Sequence, residues 1–158
     1  MAVIVRGLKL IAVAKSKPVL IVDDAPIVTA IIARIASEIG YEEVHTAHSG
    51  PEALQKMKTK DFGLVISELN MRPINGLQLA SSIRRDPQLR KAVILLTTAD
   101  AKAFAQAVCT EEFKLVDASL MKPFTAGQLA IRLTGIPSRF RGLRLQRRTK
   151  GKICIPQM

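Results

Sequence analysis

Four short apolar runs in this chain each end in residues able to do polar chemistry. Val19-Leu-Ile-Val22 ends in Asp23-Asp24, and Leu64-Val-Ile66 leads through Ser67 to Glu68. Ala92-Val-Ile-Leu-Leu96 ends in Thr97-Thr98, and Ala118-Ser-Leu-Met121 ends in Lys122-Pro123. Short apolar runs of this kind read as strands buried on both faces, and in open α/β sheets the chemistry gathers beyond the carboxyl ends of such strands. Carboxylates, a hydroxyl and an ammonium would then meet in one place. Two adjacent acids at a strand end are costly to hold together unless a cation joins them, which suggests a hard divalent ion such as Mg2+ on Asp23 and Asp24. The alternative is that Asp24 caps the next helix while Asp23 faces solvent.

The elements needed to position these residues are legible in order. After the first strand, Pro26 sits in the first turn of a helix. Ile27, Ala30, Ile31, Ala33, Arg34, Ile35 and Ile39 carry its periodicity, and Gly40 stops it. Glu43–Ala47 is a second strand. Ser49-Gly-Pro-Glu52 has the capping-box pattern that opens a helix with Ala53, Leu54 and Met57 inward. The third strand ends at Glu68, and its loop is closed by Gly76. Leu77, Ala80 and Ile83 outline the next helix, which ends near Asp86-Pro87. A fourth strand reaches Thr97, and Ala101–Cys109 is helical. A fifth strand lies within Phe113–Met121. Thr125-Ala-Gly-Gln128 caps a last helix through Leu129, Ile131 and Leu133. Five alternations of strand and helix predict an α/β fold, a doubly wound five-stranded parallel (βα)5 sheet.

Asp23-Asp24, Glu68-Leu-Asn-Met71, Thr98-Ala99 and Lys122-Pro-Phe124, in that order and spacing, resemble the CheY-like receiver domain of bacterial response regulators over about residues 18 to 135. The resemblance implies strand order 2-1-3-4-5, a flavodoxin/CheY-like fold. It also implies a Mg2+ held by Asp23, Asp24, the carboxylate at position 68 and the backbone carbonyl of Asn70. Thr98 and Lys122 would bind phosphoryl oxygens, and the Lys122-Pro123 bond would be cis. Thr98 and position 119 would form the switch.

Several positions depart from that pattern. The family carries a phosphate-accepting Asp where this chain has Glu68. The extra methylene adds about 1.5 Å of reach, and a misplacement near 1 Å can cost about 10²-fold in rate. Ser119 stands where an aromatic is common, Arg72 replaces a proline with Pro73 one place late, and Asn75 replaces a common Asp. Between Thr98 and Lys122 the chain is about two residues longer than is usual for the family, with Glu111-Glu112 the expected site of the excess. Without a phosphoryl group, Lys122 is expected to pair with Glu68 or Asp23.

The 158 residues suit one domain with flanking segments, expected as 1–17, 18–135 and 136–158. The net charge of +11 lies at the ends. Residues 1–17 hold Arg6, Lys9, Lys15 and Lys17 and no acid. Residues 137–158 hold Arg139, Arg141, Arg144, Arg147, Arg148, Lys150 and Lys152 and no acid. The span between them is neutral. Such a tail could bind nucleic acid or an anionic membrane, or stay solvated or dock on a partner. No apolar stretch reaches the ~20 residues a membrane-spanning helix needs, and no secretory signal is recognised. Cys109 and Cys154 read as reduced cytosolic thiols, and His45 and His48 as surface residues. Met57, Met71 and Met121 read as packing residues.

The resemblance thus leads us to expect a cytoplasmic, non-enzymatic pseudo-receiver of a two-component phosphorelay. It would have no small-molecule substrate, Mg2+ weak or absent, and a histidine kinase or other signalling protein as partner, with homodimerisation open. Glu68 would silence phosphoryl transfer and could also mimic the phosphorylated state. The rivals are an active, Mg2+-dependent phosphorylatable regulator and a nucleic-acid adaptor acting through the tail.

Overall fold

The computed structural model describes residues 16–136. The expectations for most of the basic leader and for the whole basic tail fall outside the described residues. Within them, five strands and five helices alternate: β1 Val19–Val22, α1 Pro26–Glu38, β2 Val44–Ala47, α2 Gly50–Thr59, β3 Leu64–Glu68, α3 Gly76–Arg85, β4 Val93–Thr98, α4 Ala101–Val108, β5 Ala118–Met121 and α5 Ala126–Thr134. A 3-10 turn, Glu112–Leu115, stands before β5, where the excess length was expected. The strands form one parallel sheet in the order β2-β1-β3-β4-β5.

The three inner strands are buried at every residue. They read as continuous apolar runs because helices cover both faces. Alternation along each strand divides the core in two. Leu20, Val22 and Val65 pack with Met57, Leu79 and Ile83 under α2, α3 and α4. Val19, Ile21 and Leu64 pack with Ile32, Leu129 and Leu133 under α1 and α5. Each fully buried Leu or Ile contributes about 1.5–3 kcal/mol, and the two layers hold the sheet rigid beneath its loops. No helix among the described residues is long and apolar enough to cross a membrane.

The helix ends follow local chemistry. Gly40 takes a φ of 101°, the left-handed conformation that lets the chain turn out of α1. Thr125 and Gln128 form a reciprocal capping box at α5, as the sequence predicts. At α2 the box is displaced: Ser49 accepts from the Glu52 N–H, but the Glu52 carboxylate accepts from the N–H of His48. Asn75 and Gln78 form a second complete box at α3, in the register of the sequence signature but not read from it.

Three expectations are corrected. Asp24 does not cap α1; the N-cap position is Ala25, and the nearby carboxylate is that of Asp23, which accepts from the Ala25 N–H. The buried face of α1 is Thr29, Ile32 and Ala36, whereas Ile27 is 77% and Ile31 54% exposed. Thr29 can be buried because its hydroxyl donates to the Pro26 carbonyl at 2.8 Å, and the apolar stripe is rotated accordingly. Met57 and Met71 are core residues, but Met121 is exposed because β5 is an edge strand.

A candidate acid–lysine cluster at the strand ends

Register places the functional side chains. Val22 pairs with Ser67 across β1 and β3, Glu68 with Thr97 across β3 and β4, and Thr98 with Met121 across β4 and β5. The residues that end the strands, or directly follow them, therefore lie side by side at one edge of the sheet. They are Asp23, Glu68, Thr98 and Lys122.

Asp23, Glu68 and Thr98 are buried, and the Lys122 side chain is only 15% exposed. The Lys122 ammonium donates to Asp23 Oδ2 at 2.8 Å and also to Glu68 Oε2. The sequence left Glu68 or Asp23 as its partner; the structure pairs it with both. The other carboxylate oxygens are taken by backbone donors. Asp23 Oδ1 accepts from the Ala25 N–H at 2.9 Å, and Glu68 Oε1 from the Asn70 N–H at 2.9 Å. Burial by itself would lower the lysine pKa, but hydrogen bonds from the ammonium to Asp23 and Glu68, with the charges of both, outweigh it and raise the value above 10.5. The ammonium stays charged at neutral pH, and two buried carboxylates share one cation.

The loops hold this arrangement tightly. The backbone N–H of Lys122 donates to the Thr98 carbonyl at 2.9 Å, which ties the lysine to the end of β4. The Lys122-Pro123 peptide is cis, as the resemblance implied, and so is Arg72-Pro73. Gly76 lies so close to β3 that a Cβ there would stand 2.4 Å from the Glu68 carbonyl oxygen and 2.7 Å from Leu96 Cδ1. Only glycine lets the loop after Glu68 close onto its strand.

Not every expected residue joins the cluster. Asp24 is exposed, as is the Asn70 residue. The buried Thr98 hydroxyl accepts from the Asp100 N–H at 3.1 Å. Ser119 is half-buried; its neighbours Ala118 and Leu120 pack against the α1/α5 layer, so alternation turns Ser119 to the α4 side. His45 pairs with Glu43 at 2.8 Å and meets the edge of Phe62, with ring centroids 5.4 Å apart. His48 is exposed, with Nδ1 3.3 Å from the Asp23 carbonyl. Cys109 is an exposed free thiol.

As arranged, these residues do not fit a divalent ion. Oxygen donors are present, but all four carboxylate oxygens of Asp23 and Glu68 already accept N–H donors. No group of three or more His, Cys, Asp or Glu side chains among the described residues is placed to hold a metal.

One buried ion pair was not legible in the sequence. Arg84 Nη2 donates to Asp117 Oδ2 at 2.6 Å, while its other nitrogens donate to the carbonyls of Leu115, Arg90 and Ala92. This pair ties the end of α3 to the start of β5, the strand that carries Lys122.

Residues 19–134 match the response regulator receiver domain family. The chain belongs to this receiver family. Chemotaxis protein CheY-3 of Vibrio cholerae is 31% identical over 122 residues, covering 77% of this chain and 92% of the relative. Chemotaxis protein CheY1 of Helicobacter pylori is 35% identical over 108 residues, covering 67% and 85%. Among solved structures, V. cholerae CheY4 superposes with a TM-score of 0.62 at 30% identity, covering 72% of this chain and 92% of the other. The response regulator TrrA of Thermotoga maritima, solved in complex with Mg2+ and BeF, gives 0.63 at 32% identity with the same coverage. The receiver fold, its strand order and a place in two-component signalling follow for this chain.

Proposed function

We propose that this receiver acts by protein–protein interaction, with phosphoryl transfer lost or much weakened: a pseudo-receiver and not an enzyme. The observation that carries the reading is the Glu68 carboxylate. It is the acceptor position lengthened by one methylene, buried, and held at one oxygen by Lys122 and at the other by the Asn70 N–H. In-line attack on a phosphoryl group needs a free, well-placed carboxylate oxygen, and a displacement near 1 Å costs about 10²-fold. Binding of Mg2+ is weak or absent on the same reading, because the acids it would use are engaged. The partner is a histidine kinase or another signalling protein, and the setting is cytoplasmic.

A constitutively active-like receiver is the second reading, since a fixed negative charge at position 68 partly imitates a phosphorylated aspartate. The Thr98 hydroxyl favours the first. It is engaged with the Asp100 N–H, and Ser119 offers no aromatic ring to move with it.

Intact mass after incubation with acetyl phosphate and Mg2+ tests the reading, on wild type and Glu68→Asp side by side. The expected result is a phosphoryl adduct on Glu68→Asp alone. An adduct on the wild type overturns the pseudo-receiver reading.

A further inference from the structure

The acids at the strand ends are partly offset by this chain's own side chain, one positive charge for two negative ones. Asp23 and Glu68 are buried, so their charges need a cation within reach. Lys122 supplies one positive charge between them. The remaining oxygens each accept one backbone donor, the Ala25 and Asn70 N–H groups.

A Mg2+ ion demands near-octahedral oxygen contacts at about 2.0–2.1 Å. It would have to share those oxygens with their donors or displace them, and settle against a like-charged ammonium. Asp24 is exposed, so the second acid of the adjacent pair is not drawn into the cluster. The extra methylene of Glu68 carries its carboxylate about 1.5 Å further from the backbone than an aspartate would, and that carboxylate meets the Lys122 ammonium.

We propose that Lys122 is the resident cation of this site, held by Asp23 and Glu68 in place of a divalent metal, so that the folded chain excludes Mg2+ and its stability is independent of it. The inference rests on the reading of Glu68 as an acceptor position out of use, and it adds a cause that is separable from phosphoryl chemistry. Removing the ammonium, or withdrawing the carboxylate from it, reopens a cation site between two buried acids.

The test uses the full chain without any phosphodonor. Thermal melting is followed in EDTA and in Mg2+, and backbone amide NMR signals of Ala25 and Asn70 are followed as Mn2+ is added, for wild type, Lys122→Met and Glu68→Asp. The wild type is expected to melt at the same temperature in both solutions and to keep both signals sharp. Lys122→Met is expected to melt lower in EDTA and to recover when Mg2+ is added. Glu68→Asp should lose the Ala25 and Asn70 signals to Mn2+ broadening.

A wild type whose melting point rises with Mg2+, or whose two signals broaden, overturns the inference. So does a folded pair of variants that both ignore metal. If Lys122→Met does not fold, Glu68→Asp decides alone. A wild type that binds Mg2+ yet takes no phosphoryl group overturns this inference and leaves the pseudo-receiver reading standing.

Discussion

Lys122 and Asp23 meet at 2.8 Å although they lie at opposite ends of the domain sequence, and the same ammonium also holds Glu68. Two buried carboxylates thus depend on one lysine, and the consequences of substitution are unequal. Lys122→Met leaves two buried charges without a cation, and breaking a buried pair in this way costs about 3–5 kcal/mol. Glu68→Gln leaves one acid for one lysine and can still accept from the Asn70 N–H, so it should cost about 1 kcal/mol or less. Urea unfolding of the two variants in EDTA checks the asymmetry. Equal losses would mean that the excess negative charge at the cluster has no energetic weight.

Alkaline pH should dissolve the same cluster. The Lys122 pKa is raised above 10.5 in the folded chain, so its contribution to stability is whole below about that pH and is lost as pH rises through the raised value. Tyr41 acts in a neighbouring window. Burial pushes its phenol from 10.0 up to about 12, so folding also favours the neutral phenol until the pH passes that value. Tyr41 is the chain's single tyrosine, and its phenolate absorbance can be titrated without interference. The expected midpoint is about 12 while the protein stays folded, or a sharper rise at lower pH coincident with unfolding. A smooth ionisation near 10.0 in folded protein would show that the ring is not buried as described.

Gly76 and Gly127 should respond oppositely to alanine. A Cβ at Gly76 would meet the Glu68 carbonyl oxygen at 2.4 Å, which is backbone and cannot swing aside. Gly76→Ala should therefore cost about 1–3 kcal/mol or more through overpacking, and it should disturb the Glu68 loop. At Gly127, inside α5, the nearest contact of an added Cβ is the Thr125 hydroxyl at 3.9 Å. Gly127→Ala should stabilise the chain by about 0.5–1 kcal/mol by reducing the freedom of the unfolded backbone. Denaturation midpoints that move in the same direction for both would contradict this packing.

What could be read from the sequence follows from how each feature is encoded. The strand ends were legible because an apolar run that stops in Asp, Glu, Thr or Lys carries both the strand and its chemistry in adjacent residues. Parallel pairing then brings Asp23, Glu68, Thr98 and Lys122 to one edge with no further information. The face of α1 was misread because Ile27 and Ile31 follow helical spacing as well as Ile32 and Ala36 do. The choice was made by the sheet beneath and by Thr29, whose hydroxyl satisfies itself on the Pro26 carbonyl. The Asn75–Gln78 box had a local signature that could have been recognised. How Lys122 would divide itself between two acids had none, because it depends on distances across three strands.

Arg84 and Asp117 give the clearest test of a contact without a local signature. The pair is nearly buried at 2.6 Å, and Asp117 Oδ2 also accepts from the Ile94 N–H at 2.8 Å. The guanidinium donates in addition to three carbonyls, at 2.7–3.0 Å. Arg84→Met takes the guanidinium from a buried carboxylate and from three carbonyl acceptors, and a loss of about 3–5 kcal/mol is expected. Arg84→Lys should recover little, because one compact ammonium cannot reach donors spread over a planar fork. The double variant Arg84→Met with Asp117→Leu should regain part of the loss of Arg84→Met alone, since neither charge is then left unpaired. A double-mutant cycle by chemical denaturation measures the coupling. If lysine restores full stability, the fork geometry contributes nothing, and the link from α3 to the start of β5 is a simple charge contact.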